Sequence, residues 1–199
     1  MKSSGMRNRL LLVGTLGEQN MKIRKPSVYG IVVLFLFPVL LCSSAPGRPG
    51  EDVFLNPESL VRGLYAAVSI KAGQAHDWDQ VRKFFAPQAV LALRKSPTTM
   101  ELVTVEEFVR WFMDDVKKFN MGDRGFQETV EKLKLTEFGD MAHCFVVYKA
   151  RLMTPENAPG QLGLDSFGLM RKDGRWWVVS LNNDVVTPKR PLPPELAKP

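Results

Sequence analysis

Apolar residues recur at helical spacing in the first half of the folding part of this chain and at every second position in its last third. That change of period predicts helices followed by strands. Leu60, Val61, Leu64, Tyr65 and Val68 lie on one helical stripe, with Asn56 as N-cap, Pro57 at the first helical position and Gly73 as the stop. A second short helix is expected from Asp77, whose side chain caps it. Val81, Phe84 and Phe85 form its apolar face, and Pro87 stops it. Residues 89–93 read as a short strand. In the third helix Thr104 and Glu107 form a capping box, and Val105, Phe108, Val109, Phe112, Met113 and Val116 share a face. Gly122 and Gly125 interrupt the chain, after which the period is two. Strands are expected over about 126–136, 141–153, 162–171 and 175–186. Gly139-Asp140 and Asp173-Gly174 supply turns, and a Pro/Gly loop covers 154–160. Three helices followed by an antiparallel meander give an α+β fold with helices on one sheet face. A bent sheet wrapped over helices leaves a cone open at one end, where a ligand would sit.

The residues before this pattern read as a leader. Met21 opens a basic Met-Lys-Ile-Arg-Lys-Pro segment and is a candidate start. An apolar run of 14 residues, 28–41, follows, then Cys42-Ser43-Ser44-Ala45. Basic, apolar and small segments in that order form a secretory signal peptide. The run is short of the roughly 20 residues that span a bilayer, so a membrane anchor is the lesser reading. The expected division is a leader over 1–44, a linker over 45–53, a domain over 54–186 and a disordered proline-rich tail over 187–199. Export to the periplasm or the medium is the expected destination. An acylated Cys42 would make the protein a lipoprotein, but Leu41 before it is not the small residue that such signals carry.

Charge follows the same division. The chain carries +6, of which +5 lies within residues 1–44, so the remainder is nearly neutral. A nucleic-acid surface needs a concentrated basic patch, and the domain supplies none. With Cys42 in the leader, Cys144 stands alone and no intrachain disulfide forms. The hydrophobic core then carries the stability by itself.

Asp77-Trp-Asp-Gln-Val-Arg-Lys-Phe-Phe-Ala-Pro87, Gly139-Asp-Met-Ala142 and Arg171-Lys-Asp-Gly-Arg-Trp-Trp-Val-Val-Ser-Leu-Asn-Asn-Asp184 resemble segments of nuclear transport factor 2-like (SnoaL-like) domains. The resemblance covers about residues 54–186. It implies the cone-shaped fold, with three N-terminal helices packed on a bent antiparallel sheet. It does not imply one activity, since the fold hosts isomerases, hydrolases, dehydratases, transport adaptors and silent domains. Catalytic members place acids, a His or a Tyr inside the cone. Where some carry His on the last strand, this chain has Ser180 and Asn182.

Several residues are candidates for chemistry. Cys144 and His143 are neighbours on a strand and so point to opposite faces; without a bulge they form no thiol–imidazole dyad, and Cys144 reads as a buried small hydrophobe beside a His. Cys144 shares a face with Ala142, Val146 and Tyr148; His143 shares one with Phe145 and Val147. His143, central in its strand, is expected to point toward the helices as a general base or a pocket hydrogen-bond group, with Phe112 and Phe167 as apolar walls; the alternative is a strand His satisfied by a neighbour or by water. Asp165 or Tyr65 would satisfy its N–H. Asp165 shares a face with Phe167 and Leu169; the favoured reading is a solvated strand end, and the alternative is a pocket acid. Asn182 is taken with Tyr65, Phe112 and Phe167 as a ligand-binding residue. His76, Asp77 and Asp79 are metal-type side chains, but Asp77 serves as a cap and too few His remain for zinc. No metal or cofactor is expected. One of Trp176 and Trp177 should face the helices. Val146, Tyr148, Trp176 or Trp177, and Val179 are candidates for an outward apolar patch through which the domain pairs as a homodimer.

Two readings stand side by side. In the first, an exported domain binds a small apolar or amphipathic molecule in its cone, or serves as a non-catalytic interaction module. In the second, an isomerase or hydrolase uses His143 and Asp165 as an acid–base pair.

Overall fold

In the computed structural model, residues 52–156 and 159–197 are described. The leader, Cys42 and most of the linker lie outside them.

After a short 3-10 turn at Asp52–Phe54, helix α1 covers Pro57–Val68. The Asn56 side chain accepts from the Glu58 and Ser59 amides at 2.9 and 3.1 Å, and Pro57 occupies a position where no amide is needed. The helix ends at Val68 rather than near Gly73, because the chain is captured there by a strand. Ser69 Oγ donates to Tyr65 O at 2.9 Å and accepts from Glu128 N at 3.0 Å. Ile70 and Phe126 exchange both backbone hydrogen bonds.

Helix α2, Trp78–Arg82, is capped by Asp77, which accepts from Gln80 N at 3.0 Å. Strand β1 runs over Phe85–Ser96 and β2 over Thr99–Thr104. Helix α3 follows over Val105–Lys118, with the Thr104–Glu107 capping box formed in both directions. The short α4, Met121–Arg124, leads into β3 (Phe126–Phe138), β4 (Met141–Leu152), β5 (Gln161–Lys172) and β6 (Arg175–Val185). Asp173 and Gly174 both have positive φ, 53° and 77°, which sets the two-residue turn between β5 and β6.

The expected arrangement of helices and sheet needs correction. Only α1 and α2 precede the sheet among the described residues; α3 comes after a β1–β2 hairpin. The hairpin was hidden because β2 is an edge strand with a single buried residue, Val103. The sheet is mixed rather than antiparallel, in the order β2-β1-β6-β5-β4-β3 with β1 parallel to β6. Pro87, read as a helix stop, lies inside β1. It falls in the gap between the Phe85–Val178 and Val90–Ser180 pairs, where its missing N–H leaves no ladder bond unmade.

Helices α1 and α2 pack on the inner sheet face. Leu60, Val61, Leu64, Val81 and Phe84 meet Leu91, Val146, Phe167, Trp176 and Val178 there, all nearly solvent-free. Trp176 is the inward ring of the pair, and Trp177 is only half-buried. On α3, Val109 is fully buried and Trp111 packs on the core, while Met113 is exposed.

Two β-bulges set the parity of the inner face. On β3 the register shifts between Val130 and Lys132, so Phe126, Glu128 and Val130 face in, and then Leu133 and Leu135. On β6 the partner of Leu169 is Val178 and that of Gly168 is Ser180, leaving Val179 as the extra residue. Trp176 and Val178 face in before it; Leu181 and Asn183 face in after it.

The tail differs from the expected disorder over 187–197. Thr187 and Arg190 pair through their backbones, and Arg190 Nη1 donates to Pro97 O at 3.1 Å. Lys132 Nζ donates to Glu195 O at 3.4 Å beside the short helix α5, Pro194–Ala197, whose Leu196 is buried. Proline richness limited the backbone here without preventing docking, because Arg190 and Leu196 give the tail fixed contacts.

Candidate functional site

Between α1, α3 and the inner faces of β1, β3, β4, β5 and β6 lies a cavity of about 200 Å³. Its apolar wall comes from Phe85, Leu93, Phe108, Trp111, Phe112 and Phe167, with Leu64 and Leu181. Phe108 and Phe112 meet edge to face at 5.9 Å, and Phe112 meets Phe126 in the same way at 5.6 Å, so the wall is interlocked.

The polar side is a hydrogen-bonded cluster. Asp165 lies in mid-sheet, in register with Val146 on β4 and Asn183 on β6, and is only 6% exposed. Tyr65 Oη donates to Asp165 Oδ2 at 2.5 Å, and Asn183 Nδ2 donates to Asp165 Oδ1 at 2.7 Å. The Asn183 amide also reaches Tyr148 Oη at 2.8 Å. The Tyr148 ring can cross the sheet because its register partner on β5 is Gly163, where any Cβ would overlap Tyr148 Cζ and Oη.

Burial pushes the Asp165 carboxyl up to about 6, although the Tyr65 and Asn183 hydrogen bonds oppose the shift. Glu128 lines the same cavity from β3, its backbone fixed by Ser69. Burial, with the Asp165 charge added, pushes it up to about 8. The Tyr65 and Tyr148 hydroxyls are also raised, chiefly by burial and next by Asp165. At neutral pH the cavity therefore presents an ionised Asp165, a protonated Glu128 and two neutral phenols. Asp115 on α3 also lines it and is raised by burial. Arg94 of β1 is forked onto Asp184 at 3.0 and 2.7 Å.

Of the residues singled out from sequence, Asp165, Tyr65, Phe112 and Phe167 come together here. Asp165 is not the solvated strand end, because β4 and β6 both continue past it. His143 is corrected: it is exposed on the outer face, its Nε2 3.0 Å from Ser166 Oγ and its ring against Phe145. Cys144 took the inward position instead; it is fully buried, and burial pushes its thiol up to about 12, which leaves it protonated. Asn182 is corrected too, since it is exposed and the Val179 bulge brings Asn183 inward. The outward patch is corrected in part: Val146, Tyr148 and Trp176 are buried inward, Trp177 and Val179 are only partly buried, and Phe145 and Val90 are exposed. Sequence reasoning missed Glu128, although the signal used for Asp165 was present: an acid alternating with Phe126 and Val130. His76 lies away from the cavity, its Nε2 buried without a partner. Among the described residues no group of His, Cys, Asp and Glu side chains converges as a metal site.

No family model matches the chain, and no curated protein matches it in sequence. Solved structures do match its fold. A Thiobacillus denitrificans protein assigned as a calcium/calmodulin-dependent protein kinase type II association domain superposes with a TM-score of 0.52 at 16% identity, over 67% of this chain and 98% of its own. A nuclear transport factor 2-like protein with a cystatin-like fold from Novosphingobium aromaticivorans gives 0.51 at 12% identity, over 67% and 85%. A cystatin-like-fold protein of unknown function from Nostoc punctiforme gives 0.51 at 11% identity, over 66% and 89%. At such identities the likeness is one of architecture: the domain has the nuclear transport factor 2-like, cystatin-like fold.

Proposed function

We infer that the domain binds a small amphipathic molecule in this cavity, with its apolar body against Phe108, Phe112 and Phe167 and its polar group on the Asp165 cluster. The observation that supports this is the division of one cavity into an interlocked aromatic wall and a polar network. A volume of about 200 Å³ suits a compact ligand, below the several hundred Å³ of drug-sized sites. As a probe, 2-phenylethanol titrated into the isotope-labelled domain should shift resonances of Tyr65, Phe112 and Asn183. Asn183→Leu should weaken binding about tenfold, the scale of one lost hydrogen bond in a desolvated site. His143→Ala should leave binding unchanged. Loss of binding in the His143 variant, or shifts confined to the outer sheet face, would contradict the reading.

A second reading, proton transfer with Asp165 as base, is favoured by its place, almost fully buried in the wall of the cavity that Glu128 also lines. The Asp165 carboxyl is pushed up to about 6, where a carboxylate can take up and return a proton near neutral pH. Glu128 replaces His143 as the second group in that reading, because His143 lies on the other side of the sheet.

Export with cleavage near Ser44, and pairing of two copies through the outer sheet face, complete the proposal. The intact mass of the exported protein should begin near Ala45 without a lipid on Cys42, and light scattering at micromolar concentration should give twice the chain mass. A retained leader or a monomer mass would remove the corresponding part.

A further inference from the structure

The cavity concentrates acid groups, and the one cation that lines it among the described residues, Arg94, is already paired. Asp165 is almost fully buried, yet both groups bonded to its carboxylate, the Tyr65 hydroxyl and the Asn183 amide, are neutral. Glu128 lines the same space, and its raised pKa has only burial and the Asp165 charge as causes. Asp115 adds a third carboxyl from α3. Tyr65 from α1 and Tyr148 from β4 also face the pair and stay neutral.

The cations nearby are already engaged. Arg94 lines the cavity, but its guanidinium is forked onto Asp184. Lys95 sits over the Trp111 ring at 4.5 Å and is paired with Glu101 at 2.8 Å. Buried carboxylates are ordinarily matched by a cation or a metal, since leaving one unmatched is costly. Here the remaining wall is aromatic, with Phe108, Trp111, Phe112 and Phe167 offering ring faces or edges around the acids. Aromatic faces attract ammonium groups and add to the pull of a carboxylate. An anionic ligand would meet Asp165 at close range in a poorly solvated site, and like charges repel strongly there.

We propose that the ligand of this cavity is a small organic cation, a primary ammonium carried on a compact apolar body, with its charge against Asp165 and Glu128 and its body against the aromatic wall. This rests on the reading of the cavity as a ligand site and names the class of ligand. It also sets a proton balance. Glu128 holds its proton up to about pH 8 in the free protein, so an arriving ammonium displaces that proton to solvent. Affinity therefore rises with pH until Glu128 is ionised without help.

Three probes of one shape separate the possibilities: 2-phenylethylammonium, 2-phenylethanol and phenylacetate, titrated calorimetrically into the domain at pH 6 and pH 8.5. The ammonium should bind about tenfold or more tightly than the alcohol, the effect of one added charge contact. Its affinity should rise about fivefold or more between the two pH values, following the ionisation of one linked group. Phenylacetate should not bind. In Glu128→Gln the rise with pH should shrink to about twofold, the part that the ionisation of Asp165 supplies, while His143→Ala should keep the full rise. Equal binding of the alcohol and the ammonium would overturn the cation proposal and leave the amphipathic-ligand reading intact. Preference for phenylacetate would do the same. Binding of none of the three would overturn both.

Discussion

Gly163→Ala is expected to unfold about 5–15 °C below the wild type, from a loss of about 2–4 kcal/mol in a domain of this size. The backbone at Gly163 is ordinary strand, paired with Tyr148 and with Val185, so alanine brings no conformational strain of its own. What it brings is a methyl group inside the volume of the Tyr148 ring, overlapping both Cζ and Oη. The ring has little room to yield, because it packs against the Tyr65 ring at 5.8 Å. Moving it also breaks the 2.8 Å contact with Asn183 Nδ2, and an unpaired polar group in so enclosed a place costs about 1–3 kcal/mol. Thermal unfolding followed by circular dichroism measures the loss. In a Tyr148→Ala background the added methyl should cost almost nothing, because the overlapping ring is gone. An equal loss in both backgrounds would mean that the ring is not what Gly163 accommodates.

Glu128→Gln should act in the opposite direction, and only at higher pH. The carboxyl is raised from its ordinary 4.5 to about 8, first by burial and then by Asp165. Between those values the folded protein holds a proton that the unfolded chain has released. Stability therefore falls as pH rises through the window, and it is fully present only below it. Glutamine is neutral throughout and removes the fall. The expected gain above pH 8 is about 1–3 kcal/mol, less than the full shift implies because the side chain borders an accessible cavity. That corresponds to about 3–10 °C in the unfolding midpoint, shrinking to nothing near pH 4. Melting curves at pH 4, 6 and 8.5 check it; a variant no more stable than wild type at pH 8.5 would show that Glu128 does not carry a raised pKa.

Much of the fold could be read from the chain because its signals are local. Asn56-Pro57, Thr104 with Glu107, and Asp173-Gly174 each act within a few residues, and each appears as the cap or turn that its chemistry dictates. The site was less legible because inward and outward positions depend on parity, which a single bulge reverses. His143 illustrates the limit: its opposition to Cys144 followed from the strand, but which of the two faces held the helices did not. Asp165 looked like a strand end because the reach of β4 and β6 past it is a tertiary fact, set by pairing with Val146 and Asn183. The parallel pairing of β1 with β6 was equally hidden, since the two strands lie about ninety residues apart in sequence.

The Val179 bulge works as a phase shift written into one strand. It uncouples the two ends of β6, so the stretch that seals the core through Trp176 and Val178 and the stretch that faces the cavity through Leu181 and Asn183 follow separate counts. Anyone reshaping the cavity must therefore count from Leu181; a library built by alternating from Trp176 would diversify Ser180 and Asn182, on the wrong side of the sheet. The bulge also lets the cavity end of the strand change its specificity without disturbing the hairpin end that secures the core.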